Sequence, residues 1–235
     1  MASGSKARIA ANLATVRQRI AESLARSGRS DQDVKIIAVT KSAELDAIRA
    51  LVELGHTDFG ESRAVQLAER AEQLQAAGGP AVQWHMVGHL QRNKVRPVLE
   101  AGAVIHSVDS LRLAEELNHR CEQMGIVSDV LLQVNCSQES QKFGVAVGAA
   151  VHLAELICTL RQLRMVGLMT MAAIDGGTDA ARRSFGRLRE LLEDVRHEGI
   201  GGEAMRHLSM GMSQDYPIAV EEGATIIRIG TALFE

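Results

Sequence analysis

The sequence predicts a (β/α)8 TIM barrel of the α/β class, with one additional N-terminal helix. Three observations predict it: short apolar runs alternate with helical patterns along the chain, eight such runs occur, and several helical patterns end at a glycine. Strands alternating with helices indicate parallel βαβ units. Eight units in 235 residues is the size of a closed barrel. An open doubly wound sheet is the runner-up, and it generally has fewer strands for this length.

The elements follow in order. Ile9, Leu13, Val16, Ile20 and Leu24 recur at spacings of three and four, the apolar stripe of a helix that packs on a core, and Gly28 ends it. Residues 34–39 are apolar, rich in β-branched side chains and too short for a helix, so they form the first strand. The next strands are 57–60 after Gly55, 82–87, 104–108 after Gly102, and 130–134 after Gly125. Residues 165–170, 207–210 and 225–229, the last after Gly223, complete the set. A glycine just past a helix supplies the left-handed cap that returns the chain to the sheet. Near-continuous apolar strands such as 34–39 and 130–134 imply burial on both faces. No linker or composition shift divides the chain, so a single domain over 1–235 is expected.

Composition narrows the function classes. With 46% hydrophobic and 23% charged residues the chain is an ordinary globular protein, not a disordered or fibrous one. A net charge of -3 and no basic block argue against nucleic acid, and 3% aromatic residues offer no stacking platform for unpaired bases. No apolar run is long enough to cross a bilayer, and residues 1–8 are polar with no signal-peptide core behind them. Cys121, Cys136 and Cys158 are odd in number and fit neither a disulfide framework nor a zinc pattern. A cytoplasmic protein with reduced thiols is expected.

In a barrel the chemistry sits where each strand ends. The first strand ends Val39-Thr40-Lys41-Ser42, which sends the Lys41 stem into the barrel mouth with its amine toward the pocket. A desolvated amine beside a cation loses its proton more readily, as a Schiff-base nucleophile must. A lone lysine in a loop is more often simply solvated, so Lys41 needs support. Strands seven and eight supply it, because their loops often form a phosphate site. One carries Ser209-Met210-Gly211-Met212-Ser213 and the other Arg228-Ile229-Gly230-Thr231. Small residues let backbone N–H groups converge on an anion, and hydroxyls add donors. Arg228 stands two residues before Gly230 and points the same way. A pyridoxal ring with its phosphate in this cradle and its aldehyde on Lys41 would set its ring nitrogen near Arg228. Arginine has no transferable proton, so that nitrogen stays unprotonated and carbanion chemistry is disfavoured. His85, four residues before His89 on a strand and loop, lacks the helical spacing and carboxylate of a metal site; it lines the pocket or the core. Asn135, Lys142 and Gly144 after the fifth strand form a further candidate wall of the mouth.

These residues carry a resemblance. The chain resembles the pyridoxal phosphate homeostasis proteins, single-domain relatives of the alanine racemase barrel, over nearly its full length. The resemblance rests on Ala38-Val39-Thr40-Lys41, Phe59-Gly60-Glu61, Trp84-His85 through Gly88, Leu90-Gln91 and Asn93-Lys94. It continues through Lys142 with Gly144, Gly167-Leu168-Met169, the Ser-Met-Gly-Met-Ser stretch 209–213 and Arg228-Ile229-Gly230-Thr231. It implies that Lys41 holds pyridoxal 5'-phosphate as a Schiff base, that Ser209, Gly230 and Thr231 contact the phosphate, and that Arg228 faces the ring nitrogen. Met210, Gly211 and His85 complete the expected cofactor-binding set. Where the family has Asn after Phe-Gly-Glu, this chain has Ser62, and it ends at Glu235, where the family continues with a glycine and a short tail.

The function so implied is to bind and buffer pyridoxal phosphate for vitamin B6 and amino-acid balance, without catalytic turnover. Pyridoxal phosphate-dependent apoenzymes are the expected recipients, with a monomer expected and neither nucleic acid nor membrane as partner. The alternative is a pyridoxal phosphate-dependent amino-acid racemase. Racemisation needs an acid–base group on each face of the cofactor. Lys41 serves one face, and the sole tyrosine, Tyr216, is poorly placed for the other. A phosphate-binding barrel enzyme without pyridoxal would leave Lys41 and Arg228 unexplained.

Overall fold

Eight parallel strands close on themselves in a computed structural model that describes residues 2–29, 34–78, 80–137, 139, 141–173 and 176–235, with side chains from residue 5 onward. The strands are β1 (Lys35–Val39), β2 (Asp58–Glu61), β3 (Gln83–Met86), β4 (Val104–Val108), β5 (Ser128–Asn135), β6 (Leu163–Met169), β7 (His207–Ser209) and β8 (Ile226–Ile229). Each neighbour in the sequence is a neighbour in the sheet, β4 pairs with β5, and β1 pairs with β8 to complete the ring. The register sets Ala38 beside Phe59 and Ile37 beside Arg228. The predicted barrel is therefore the observed one. A two-residue strand, Val145–Ala146, pairs with the end of β5 and was not expected.

The helices are α1 (Ala2–Arg26), α2 (Leu45–Glu53), α3 (Ala64–Ala76), α4 (Val95–Glu100), α5 (Leu111–Met124), α6 (Val147–Cys158), α7 (Gly177–His197), α8 (Tyr216–Glu221) and α9 (Thr231–Phe234). One follows each strand, and α1 is the extra element. Gly125, at φ 66, adopts the left-handed cap that ends α5 and lets its N–H return to the last helical carbonyls.

The stripe on α1 is fully used: Ile9, Leu13, Val16, Ile20 and Leu24 are all buried. At roughly 1.5–3 kcal/mol for each large side chain taken from water, this face alone holds the helix down. It packs on α2, α8 and α9, beside the seam where the barrel closes. Arg8 donates to the carbonyl of Phe234 and Asn12 to that of Leu233. These donors satisfy carbonyls that so short a helix as α9 cannot pair internally. The N-terminal helix thereby braces the C-terminal end of α9, whose first residue, Thr231, borders the site.

Candidate functional site

A cavity of about 430 Å³ opens at the C-terminal ends of the strands. Its walls come from the ends of seven strands: Val39 on β1 and Lys41 after it, Ser62 after β2, Val87 to His89 after β3, Gln133 on β5, 171–173 after β6, 212–215 after β7, and Arg228, Gly230 and Thr231 on β8 and its turn. The expected barrel mouth thus brings Lys41, Arg228, Gly230 and Thr231 to one space.

Arg228 is 3% exposed and anchored from behind. It donates to Ser209 Oγ at 2.7 Å and to the Thr170 carbonyl at 2.9 Å. Burial lowers its pKa to about 10, partly opposed by the charge of Asp215, so it remains cationic at neutral pH. Asp215, on the same wall, is pushed up by burial while the Met212 N–H, donating at 2.6 Å, and Arg228 pull it back. The N–H groups of Gly230 and Ala232 converge on Ser213 Oγ, each at 3.3 Å. Two amides at the start of a turn aimed at one acceptor form an anion nest.

Lys41 lies just past β1 in a turn that is clamped from below. Arg70 donates to the carbonyls of Thr40 and Ala43, and Gln66 donates to the carbonyl of Lys41. Arg70 also pairs with Glu61, whose side chain is fully buried. The Lys41 side chain itself is exposed at the cavity rim, so the desolvation expected for its amine is not supplied by the chain alone.

Four predicted site residues are not on this wall. Ser209 is fully buried, held between Arg228 and His106 Nδ1 at 2.8 Å, one level below the cavity. Ser213, at the other end of the same motif, reaches the nest instead. Met210 is buried in the core, and the exposed Met212 takes the wall. Gly211, at φ 92, makes the turn between them, because a Cβ there would lie 2.6 Å from Ala219 Cβ. His85 points into the barrel interior, beside Val104 at the start of β4, and borders a hollow at the opposite end of the barrel.

His89 is the histidine that reaches the cavity. Its ring stacks on Phe143 with centroids 4.1 Å apart, and its Nδ1 lies 3.2 Å from Asp109. Of the expected wall after β5, Lys142 turns to the Ala172 carbonyl and Asn135 to that of Glu139, leaving Gln133 and Phe143 to line the space. Asp215, Gln133 and Phe143 carry no sequence signal of their own. Ser213 and His89 lie inside motifs whose depth only the fold reveals.

The chain is similar to known proteins in both sequence and fold. Residues 5–235 match the family model "Alanine racemase, N-terminal domain". The chain is 39% identical over 226 residues to the pyridoxal phosphate homeostasis protein of Pseudomonas aeruginosa, covering 96% of this chain and 94% of that one. It is 36% identical over 222 residues to the Aquifex aeolicus protein of the same name, covering 94% and 95%. Among solved structures, PipY of Synechococcus elongatus with PLP bound superposes with a TM-score of 0.79 at 34% identity, covering 92% of this chain and all of that one. An alanine racemase from Clostridium difficile shares the fold, with a TM-score of 0.75 at 14% identity over 96% of this chain and 59% of its own.

Proposed function

This chain belongs to the pyridoxal phosphate homeostasis proteins of the alanine racemase N-terminal domain family, and we propose that it holds pyridoxal 5'-phosphate on Lys41 without turning over a substrate. One observation carries the reading: Lys41, Arg228 and the Gly230–Thr231 turn line a single cavity. Its volume of about 430 Å³ lies within the usual range for small-ligand sites. The residues present fit the vitamer. A carbonyl-reactive amine, an anion nest and a buried donor-only cation are three different chemistries, and the vitamer's aldehyde, phosphate and ring nitrogen need one each.

When bound, pyridoxal phosphate supplies an aldehyde that condenses with a primary amine, releasing water. Lys41 provides that amine from a turn that Arg70 and Gln66 hold in place. The Gly230 and Ala232 amides would hold the phosphate with the hydroxyls of Ser213 and Thr231. Arg228 would face the ring nitrogen as a donor, and having no proton to give up at neutral pH it leaves that nitrogen unprotonated. A site built this way binds the vitamer but weakens its electron sink. Tyr216 is buried under α1 and is absent from the cavity wall, which supports holding over racemisation. Within this proposal a cytoplasmic monomer passes the vitamer to pyridoxal phosphate-dependent apoenzymes.

The test is direct. Purified protein mixed with pyridoxal phosphate turns yellow, and borohydride fixes one pyridoxyl group, which peptide mass spectrometry locates at Lys41. Lys41→Ala stays colourless. An unchanged visible spectrum in that variant overturns the assignment, and sustained racemisation of alanine by the wild type overturns the absence of turnover.

A further inference from the structure

Behind Arg228 an unbroken line of hydrogen bonds crosses the barrel interior from one end to the other. Arg228 donates to Ser209 Oγ at 2.7 Å, and Ser209 Oγ lies 2.8 Å from His106 Nδ1. His106 Nε2 lies 3.0 Å from His85 Nδ1, and His85 Nε2 lies 3.1 Å from Asp58 Oδ1. Lys35 closes the line with a 2.7 Å bond to the same Asp58 oxygen. Ser209 and His106 are fully buried and His85 is 2% exposed. The line ends at the hollow of about 400 Å³ under the barrel, which Lys35 and His85 border.

We propose that Asp58, His85, His106 and Ser209 form a hydrogen-bond relay of a single direction, whose purpose is to hold Arg228 as a donor facing the cavity. The functional importance of the relay rests on the proposed role of Arg228; its direction does not. That direction follows from donor and acceptor counting. A guanidinium has no acceptor, so at one end Arg228 must donate. An ionised carboxylate has no donor, so at the other end Asp58 must accept. Between them only one assignment leaves nothing unpaired. The Ser209 hydroxyl, having accepted from Arg228, donates to His106 Nδ1. His106 then carries its single proton on Nε2 and donates to His85 Nδ1. His85 likewise carries its proton on Nε2 and donates to Asp58. Reversing any link sets two N–H groups against each other, or strands a hydroxyl proton where no water reaches.

Both histidines are neutral in this assignment, and their surroundings agree. Burial holds His106 well below the ordinary histidine range, aided by His85, Arg228, His207 and Lys35. Burial also lowers His85, outweighing its bond to Asp58, with Lys35 adding to the lowering. For Asp58, burial would raise the carboxyl, but the bonds from His85 and Lys35 outweigh it and keep it ionised. These four residues position Arg228, and none of them lines the cavity. With two guanidinium N–H groups tied to Ser209 and Thr170, the rest remain for the cavity that Arg228 lines.

The experiment begins on the cofactor-free wild type, labelled with nitrogen-15 in its histidines. Long-range proton–nitrogen spectra should show two buried rings in the neutral Nε2–H form, unchanged between about pH 6 and pH 8, a range in which free histidine titrates. A cationic His106, or an Nδ1–H form of either ring at neutral pH, overturns the relay. In Asp58→Asn the terminal group can donate as well as accept, so the Arg228 and Ser209 end alone fixes the direction and both rings should stay Nε2–H. Mixed tautomers in that variant overturn the donor and acceptor counting. Ser209→Ala, loaded with pyridoxal phosphate and borohydride-trapped as a loading control, should shift the absorption band and release the vitamer about tenfold faster, the loss expected for one buried hydrogen bond to a charged group. Unchanged release and an unchanged band mean that the relay does not govern Arg228. If Arg228→Ala also leaves both unchanged, the role of Arg228 fails while the tautomer result stands by itself.

Discussion

Replacing Arg70 by alanine tests how the turn bearing Lys41 is held. The Arg70 side chain is 13% exposed and its partner Glu61 is fully buried. Arg70 bonds Glu61 Oε1 and the carbonyls of Thr40 and Ala43, while Glu61 Oε2 has no partner among the described residues. Removing the guanidinium leaves a buried carboxylate with only the Thr40 hydroxyl, and breaking a buried pair from one side costs about 3–5 kcal/mol. The two carbonyls lose donors as well, but they sit beside exposed Lys41 and Ser42, where water can replace them. A loss of about 4 kcal/mol is therefore expected, a large share of the roughly 5–15 kcal/mol that stabilises a typical domain. At about 2–4 °C per kcal/mol for a chain of this size, Tm falls by roughly 8–16 °C. The assay is urea unfolding with a double-mutant cycle. Adding Glu61→Gln to Arg70→Ala removes the orphaned charge and should recover at least half the loss. Pyridoxal phosphate uptake by Arg70→Ala should slow even where the protein remains folded, because the Lys41 turn has lost its clamp. A loss under about 1 kcal/mol, or no recovery in the double variant, refutes the claim that this ion pair supports the turn.

Further predictions concern the interior and the mouth. His106 is neutral in the fold while its unfolded counterpart takes up a proton near pH 6.5, so the unfolded state binds more protons in acid and stability falls as pH drops below about 6.5. The slope is about 1.4 kcal/mol per pH unit for this one group, and His106→Gln should lose that part of it in unfolding curves at a series of pH values. Asp58 works in the same direction at lower pH. Its carboxyl is held below the usual range, so its contribution is present above about pH 4 and is lost as pH falls further, a loss that Asp58→Asn should not show. At the mouth, a Cβ on Gly88 would meet the Ser62 carbonyl oxygen at 2.2 Å, a backbone atom that cannot swing away. Gly88→Ala should cost about 2 kcal/mol and weaken pyridoxal phosphate binding, since both residues line the cavity; unaltered binding and stability would show that the loops part freely.

Much of the barrel could be read from residues because parallel strands buried on both faces must be apolar runs, and the stripe on α1 had only one way to be buried. Depth was harder. Alternation along a strand says which side chains share a face, and Arg228, two residues before Gly230, does point inward with it. The level each one reaches depends on the stagger between neighbouring strands, which arises only when the ring closes. His85 lies beside Val104, the first residue of β4, and so falls low in the interior. Arg228 lies beside Ile37, and its own N–H donates to the Gly211 carbonyl, which keeps it near the top. The same stagger separates the two serines of one five-residue motif: Ser209 belongs to the interior line and Ser213 to the nest. A motif can therefore be right in chemistry and shifted by one layer in its assignment. That shift has a physical consequence here, because the polar side chains displaced from the cavity wall are the ones that link Arg228 to Asp58. A barrel interior filled only with aliphatic layers would leave the buried arginine with the Thr170 carbonyl but no side-chain acceptor behind it. Ser209 supplies that acceptor, and the two histidines carry the line on to Asp58 in a direction the two charged ends dictate.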